Sequence, residues 1–236
     1  MSVCKTRIRF LMFNHVDLNL PALTRETIDG VRYYNVPNNE ELLKLVSITS
    51  VTSHKNRDIF INWRKKVGDA HANKVTKQST SRGTDTHTLI EYYLKNQDLP
   101  KVQPLSDYLF KISKPDLKRI SNIHALESSL YSKVLGIAGT VDCIAEFDGE
   151  LAIIDFKTSK KPKPVEWVEH YFVQCMAYGC MLYELTGISV KKLVIIMTCE
   201  NGECVIYEER DKAKYIELLQ EYIREFLNYK LETYAQ

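Results

Sequence analysis

The chain has 236 residues and a formal net charge of +2, and 44% of its residues are hydrophobic. This length allows one ample domain, or one core with an appendage. No apolar stretch approaches the length of a membrane span, which argues against an integral membrane protein, and a nearly neutral charge by itself indicates no partner.

The N-terminal third is predicted to combine a hairpin with basic helices. Residues 1–36 are predicted to be extended, with Asp29-Gly30 as a two-residue turn. Residues 38–77 show a mostly helical pattern with a break near residues 51–53, and cations are interleaved with aromatic rings there. A basic helix is usually a solvated face, but this combination also suits nucleic-acid binding.

Two features of the middle of the chain leave their roles open. A helix predicted over residues 83–96 places His87 and Glu91 one turn apart on a partly apolar stripe, where a histidine is either a core residue or a ligand. The segment Pro115-Asp116-Leu117-Lys118 contains an acid-x-lysine triplet. We expect it to open a surface helix, without a carboxylate on a neighbouring strand, and therefore discount it as a site.

The predicted hairpin over residues 139–157 is the most informative element. With Asp148-Gly149 as its turn, one face is apolar and the other carries Asp142 opposite Asp155, with Lys157 one pair further along. Like charges paired directly across strands are destabilising, so a bound divalent cation is the natural compensation. A lysine beside them can orient or deprotonate a water, or neutralise charge on a phosphate, which indicates a metal-dependent phosphodiesterase. The alternative is a solvated hairpin whose acids have no chemical role.

The C-terminal part is predicted to contain a proline-stiffened lysine loop, helices and strands. The loop carries Lys160, Lys161 and Lys163, and a helix over residues 165–185 places Gln174 and Tyr178 one turn apart. Strands over 192–198 and 204–207 precede a helix over 211–234. No glycine-rich phosphate loop is present in the sequence, and the six cysteines lack zinc spacing, so we expect a reduced compartment and no structural zinc.

Together the motifs resemble the RecB-type exonuclease branch of the PD-(D/E)XK nuclease superfamily. The matching segments are Gly139-Thr140-Val141-Asp142, Asp155-Phe156-Lys157-Thr158-Ser159, Gln174-x-x-x-Tyr178, and Arg82-Gly83-Thr84-Asp85-Thr86-His87 followed by Glu91. Within this branch, residues 125–178 are most similar to mitochondrial genome maintenance exonucleases, and the N-terminal segments look similar to phage relatives.

The resemblance implies an α/β fold with a restriction-endonuclease-like core, in which helices flank a central mixed sheet. It assigns residues 81–236 to this nuclease core and residues 1–80 to an N-terminal β-hairpin and helical region that guides DNA. The implied catalytic residues are Asp142, Asp155, Lys157, Gln174 and Tyr178. The implied ligands of Mg²⁺ or Mn²⁺ are His87, Asp142, Asp155 and the Phe156 carbonyl, with Glu91 and Glu127 as further candidates. Nucleic-acid contacts are expected from Lys65, Lys66, Arg82, Lys160, Lys161 and Lys163.

The implied activity is metal-dependent exonucleolytic cleavage of single-stranded DNA, or of duplex ends, in replication, recombination or repair. We expect a monomer, with replication or recombination proteins as candidate partners and no membrane association. No iron–sulfur cluster is expected, because the cysteines do not bracket the core. No secretory signal or well-supported transit peptide is expected either, so the cytoplasm (of a host cell, if the protein is from a phage) is favoured over the mitochondrial matrix. A structure-specific endonuclease or junction resolvase, and a catalytically silent nucleic-acid-binding module, stay open as alternatives.

Overall fold

A computed structural model of the chain describes residues 12–39 and 41–234. The N-terminal half contains β1 (Thr24–Ile28), β2 (Val31–Asn38), β3 (Glu41–Ser47), α1 (Ile48–Lys55), α2 (Arg57–Val67), α3 (Asp69–Leu94) and α4 (Pro104–Leu117). The C-terminal half contains β4 (Ile120–Ser132), β5 (Ile137–Phe147), β6 (Glu150–Ser159), a 3₁₀ turn (Val165–Trp167), α5 (Glu169–Thr186), β7 (Lys192–Cys199), β8 (Cys204–Glu209) and α6 (Lys212–Tyr234). None of the helices in these ranges is long and apolar enough to cross a bilayer.

Eight strands form one mixed sheet in the order β1-β2-β3-β5-β6-β7-β8, and β4 pairs with β5 outside this path. The pairs β3–β5 and β6–β7 are parallel, and the other pairs are antiparallel. The predicted α/β class, with helices flanking a central mixed sheet, is confirmed. Strands β1–β3 extend the same sheet, so the boundary predicted at residue 80 falls within one structural unit. The division into a DNA-guiding region and a nuclease core stays a prediction about function.

Helices cover both faces of this sheet. On one face, α5 and α6 pack Phe172, Met181 and Leu219 against sheet residues such as Ile144 and Ile195. On the other face, the apolar residues of α3 and α4 form a second cluster with the sheet, which includes Leu89, Ile90, Phe110, Cys143 and Ile196. A sheet buried on both faces fixes its strands firmly, and this gives the polar residues at its edge a rigid support.

Strand β5 pairs with β4 along one edge, and the hydrogen-bond ladder along its other edge is interrupted. Residues 137–138 pair there with β3 and residues 143–147 pair with β6, while β4 follows the first edge throughout. Residues 139–142 therefore face no described strand on this edge, because the ladder between β5 and β6 ends at Cys143–Ile154 while β6 continues along β7 on its other edge. We call this interval of β5, residues 139–142, the strand split.

The predicted hairpin register is confirmed from Phe147–Glu150 to Cys143–Ile154. The next predicted pairs are wrong, because the ladder ends there and Asp142 does not pair with Asp155 across it. β6 is also paired with β7 on its other edge, from Ala152–Lys192 to Ser159–Cys199, so it continues in the sheet after its ladder with β5 has ended. The two acids are therefore held near each other by the split and not by cross-strand pairing.

Residues 41–47 were predicted to be helical, but they form strand β3. The leucines and lysine of this segment favour a helix only weakly, and the pairing of β3 with β2 and the burial of Leu45 outweigh that preference. The predicted break near residues 51–53 is also displaced, since α1 continues to Lys55.

Two predicted helix starts are wrong. The helix that carries His87 begins at Asp69, well before residue 83. Pro115 lies in the last turn of α4 and does not open a helix, and Ile120 belongs to β4. The first eleven residues of the segment predicted to be extended lie outside the described residues.

Gly139 allows the side chain of Tyr178 to pack into the strand split, and Gly139→Ala tests this contact. A Cβ at this position would lie 2.8 Å from Tyr178 Cε1 and 3.0 Å from Ile48 Cγ2. We expect a loss of about 1–3 kcal/mol in the free energy of unfolding, measured by urea titration.

Gly179→Ala on α5 is the matched control. Its Cβ would meet Met176 Cε at 3.4 Å, an ordinary contact, and alanine favours a helix over glycine. This variant should be at least as stable as the wild type. Equal urea midpoints for Gly139→Ala and the wild type would contradict the packing argument.

Candidate active site

Asp142 is fixed by the strand split. Its Oδ2 accepts a hydrogen bond of 2.9 Å from the backbone N–H of Phe156, at the point where β6 has left β5. The carboxylate thus pairs with the Phe156 N–H, which has no backbone acceptor on β5. A buried backbone N–H needs such an acceptor. This contact explains the acid at position 142, the last residue of the strand split, and it fixes the orientation of the Asp142 side chain.

Asp155 is almost completely buried, at 1% exposure. Its Oδ1 accepts a hydrogen bond of 3.2 Å from Gln174 Nε2, and Lys157 Nζ lies 2.6 Å from Oδ2 as an ion pair. Oδ2 nevertheless accepts no well-oriented hydrogen bond from the described residues. Burial raises the pKa of Asp155 to about 6, although the charge of Lys157 acts in the opposite direction.

Lys157 is an ammonium in this environment. Burial opposes its charge, but the carboxylates of Asp155 and Asp142 outweigh burial and raise the pKa of Lys157 above its usual range. Its Nζ also lies 4.9 Å from the ring centroid of Tyr171. The side chain is therefore a fixed positive charge and hydrogen-bond donor at the site, and not a base.

Helix α5 brings Gln174 and Tyr178 to the same place from consecutive turns. Gln174 Nε2 lies 3.3 Å from the Tyr178 hydroxyl as well as contacting Asp155. Burial, followed by the charge of Asp142, raises the pKa of Tyr178, so this residue stays a phenol. The sequence therefore predicted correctly that these residues converge, while their roles stay predictions.

His87 reaches the split from α3. Its Nε2 donates a hydrogen bond of 2.7 Å to the Phe156 carbonyl, so Nδ1 is the ring nitrogen that faces the acids. Nδ1 lies 3.6 Å from Asp142 Oδ2 and 3.8 Å from Glu127 Oε1. Burial opposes protonation, but Asp142 and Glu127 raise the pKa of His87 to about 9.

Glu127 lies on β4 between Leu126 and Ser128, which pair with Cys143 and Val141 on either side of Asp142. Its φ of +46° is in the left-handed region, which a non-glycine residue in a strand adopts only at a cost. The ligand atoms of His87, Glu127 and Asp142 lie within 4.8 Å of one another, close enough to hold one metal ion. The sequence named Glu127 only as a further candidate, because nothing in it indicated the backbone conformation.

The predicted ligand set also included Asp155 and the Phe156 carbonyl. In the described structure Asp155 Oδ2 contacts Lys157, and the carbonyl accepts the bond from His87. Their part in metal binding stays a prediction. One cleft is lined by His87, Glu127, Asp142 and Lys157. Glu91 lines it as well and forms an ion pair with Lys95, the residue that follows α3.

The basic residues predicted to contact nucleic acid are dispersed around the site. Lys65 and Lys66 end α2, Lys160 and Lys161 are exposed beyond β6, Arg82 forms an ion pair with Glu200, and Lys163 contacts Tyr171. These positions are compatible with a surface that follows a charged polymer, and the contacts themselves stay predictions.

Sequence reasoning missed the contribution of the β1–β2 hairpin. Arg25, Arg32 and Tyr34 share one face of it and line the cleft above the split. The hydroxyl of Tyr34 is hydrogen-bonded to that of Thr140 at 2.9 Å. The turn at Asp29-Gly30 predicted the hairpin, but no local signal indicated that one of its faces covers the site.

Residues 102–234 match the family model of the PD-(D/E)XK nuclease superfamily, which is more than half of the chain. The human protein mitochondrial genome maintenance exonuclease 1 is 29% identical over 153 residues, which cover 59% of this chain and 44% of that protein. The Mus musculus protein of the same name is 32% identical over 110 residues, covering 44% and 32%. The chain thus spans less than half the length of these relatives. A crystal structure of a candidate exonuclease from Eubacterium rectale has a TM-score of 0.47 and 12% identity, covering 64% of this chain and 66% of that one.

The shift of the His87 pKa predicts that stability depends on pH. Between pH 6.5 and about 9 only the folded state keeps the imidazole proton, so stability falls as pH rises through this interval. For metal-free protein we expect a loss of up to roughly 3 kcal/mol, measured by urea unfolding in EDTA.

His87→Gln should remove this dependence, whereas His71→Gln, which changes an exposed histidine on the same helix, should keep it. If the wild type and His87→Gln lose the same stability over this pH interval, the environment assigned to His87 is wrong.

Proposed function

Because the chain belongs to the PD-(D/E)XK nuclease superfamily, we propose that it is a divalent-metal-dependent exonuclease that hydrolyses phosphodiester bonds of single-stranded DNA. The observation that carries this proposal is the buried ion pair of Lys157 with Asp155 beside Asp142, within the residues that match the family. An acid–lysine cluster buried at this cost suits catalysis better than stability.

The donor set suits a hard divalent cation. Carboxylate oxygens of Asp142, Glu127 and Asp155, with Nδ1 of His87, would hold Mg²⁺ or Mn²⁺. The buried carboxylate of Asp155 supports this fit. Its Oδ2 forms an ion pair with Lys157 but accepts no well-oriented hydrogen bond from the described residues, so a second cation beside it would lower the cost of its burial further. When bound, the ion would polarise a phosphoryl oxygen and stabilise the negative charge that develops during hydrolysis.

The side chains around this set have separate roles in the proposal. Lys157, as an ammonium, orients the attacking water and offsets charge on the phosphate through Nζ. Gln174 holds the carboxylate of Asp155 in one rotamer through the bond to Oδ1. Tyr178 stays protonated and supports Gln174 from the next turn.

The substrate is proposed from charge and from the relatives. Two arginines on the β1–β2 hairpin, Arg25 and Arg32, line the cleft and form no ion pair with another described residue, so they are available for a phosphate backbone. The relatives are named exonucleases, and this favours cleavage from an end. A role in replication, recombination or repair, as a monomer in the cytoplasm, belongs to the same proposal.

Replacement of Lys157 is the direct test. Lys157→Met removes the ammonium while keeping much of the side-chain volume, and we expect cleavage of end-labelled single strands in Mg²⁺ or Mn²⁺ to fall on the order of 100-fold or more. Binding measured in EDTA should change little, and EDTA should abolish cleavage by the wild type.

Lys118→Met is the matched control, because Lys118 is an exposed lysine of the other acid-x-lysine triplet. It should cleave like the wild type. Wild-type activity in a folded Lys157→Met protein would overturn the assignment.

A circular single strand separates the alternatives, since an exonuclease leaves it intact and an endonuclease or resolvase linearises it. A silent binding module would cleave neither form.

A further inference from the structure

A second cleft lies beside the acid–lysine cluster and is lined by aromatic rings. Its lining includes Phe60 and Trp63 from α2, Trp167 from the 3₁₀ turn, Tyr171 from α5 and Tyr222 from α6. The chain has two tryptophans, and both line this cleft.

Two of the aromatic rings of the cleft are open to solvent, while Tyr222 is buried and Trp63 and Tyr171 are half-buried. Trp167 is 67% exposed and Phe60 is 44% exposed, and α2 buries none of its residues. The rings of Phe60 and Trp63 lie 5.5 Å apart with a tilt of 36°, so α2 presents a paired aromatic surface. Exposed aromatic rings concentrated in one place indicate a binding surface more than a packing defect.

The inner end of the cleft touches the catalytic lysine. The ring of Tyr171 lies 4.9 Å from Lys157 Nζ and 5.3 Å from Lys163 Nζ. Lys163 Nζ also donates a hydrogen bond of 3.1 Å to the Tyr171 hydroxyl. Tyr171 is thus a shared wall between the aromatic cleft and the acid–lysine cluster.

Cations flank the cleft. Lys163 lies on its lining beside the acids Glu166 and Glu169, and the last turn of α2 carries Lys65, Lys66 and Arg64, of which Arg64 is paired with Asp69. Of the two acids on the lining, Glu169 forms an ion pair with Lys214 at 3.1 Å. Aromatic rings flanked by cations are the chemistry that binds single-stranded nucleic acid, with bases stacked on rings and phosphates beside the cations.

We propose that this cleft is a stacking subsite for unpaired nucleobases of the strand that enters the acid–lysine cluster. The inference deepens the proposed function and rests on it. Bases stack on Trp167 and on the paired rings of α2, while Lys163 contacts the backbone between the cleft and Lys157. Since a duplex hides its base faces, the cleft also selects single strands over duplexes.

Tryptophan fluorescence reports directly on this cleft, because both tryptophans line it. The full chain in EDTA, which prevents hydrolysis, is titrated with a homothymidine oligonucleotide, an abasic strand of the same length, and a blunt duplex. We expect the homothymidine strand to quench the fluorescence and the other two to leave it nearly unchanged. Equal quenching by the abasic strand or the duplex would overturn the proposal.

Variants test the same contact by affinity. Trp167→Ala should weaken binding of the homothymidine strand about tenfold, in fluorescence anisotropy with a labelled strand, and Trp167→Phe should restore most of the affinity. Tyr183→Ala removes an aromatic residue that is 61% exposed on α5 but lines a different cleft, and it should bind like the wild type. Wild-type affinity in Trp167→Ala would also overturn the proposal.

Failure of this proposal and failure of the nuclease assignment give different results. Quenching in EDTA without cleavage in Mg²⁺ or Mn²⁺ supports the stacking subsite and contradicts the nuclease assignment. Cleavage without base-dependent quenching supports the nuclease assignment and contradicts the stacking subsite.

Discussion

The hydrogen bond from the Phe156 N–H to Asp142 Oδ2 is the contact on which the site depends. It bridges the point where β6 separates from β5 and continues along β7, so the two strands diverge without leaving the amide of Phe156 unpaired. The opening this creates admits Tyr178 beside Gly139. A carboxylate that completes the sheet is held in one orientation, and His87 and Glu127 are then arranged around a fixed oxygen.

Several residues of the site destabilise the folded state, and the rest of the fold must offset this. Asp155 is buried in an ion pair with Lys157, with no well-oriented hydrogen bond to its Oδ2 from the described residues, and Glu127 holds a left-handed backbone conformation inside a strand. A sheet covered by helices on both faces supplies the stabilisation that allows such residues to persist. Costs of this kind in one place are typical of functional sites, and binding a cation would relieve the electrostatic part.

The sequence predicted what depends on local chemistry. The turn at Asp148-Gly149 determined the hairpin register, and helical spacing placed Gln174 and Tyr178 together. It did not predict where the hairpin ladder ends, because no local signal in the turn or in the two strands marks that point. The conformation of Glu127 was unpredictable for the same reason, since it depends on tertiary contacts and not on a glycine or a turn motif.

Binding of Mn²⁺ to the metal-free protein tests the central claim most directly, with free Mn²⁺ followed by electron paramagnetic resonance. Asp142→Asn keeps an oxygen that can accept the Phe156 N–H bond but removes the charge, so the fold should persist. We expect the wild type and Asp116→Asn to bind the ion and Asp142→Asn to lose most of this affinity. Equal binding by Asp142→Asn and the wild type, or no binding by the wild type, would contradict the account.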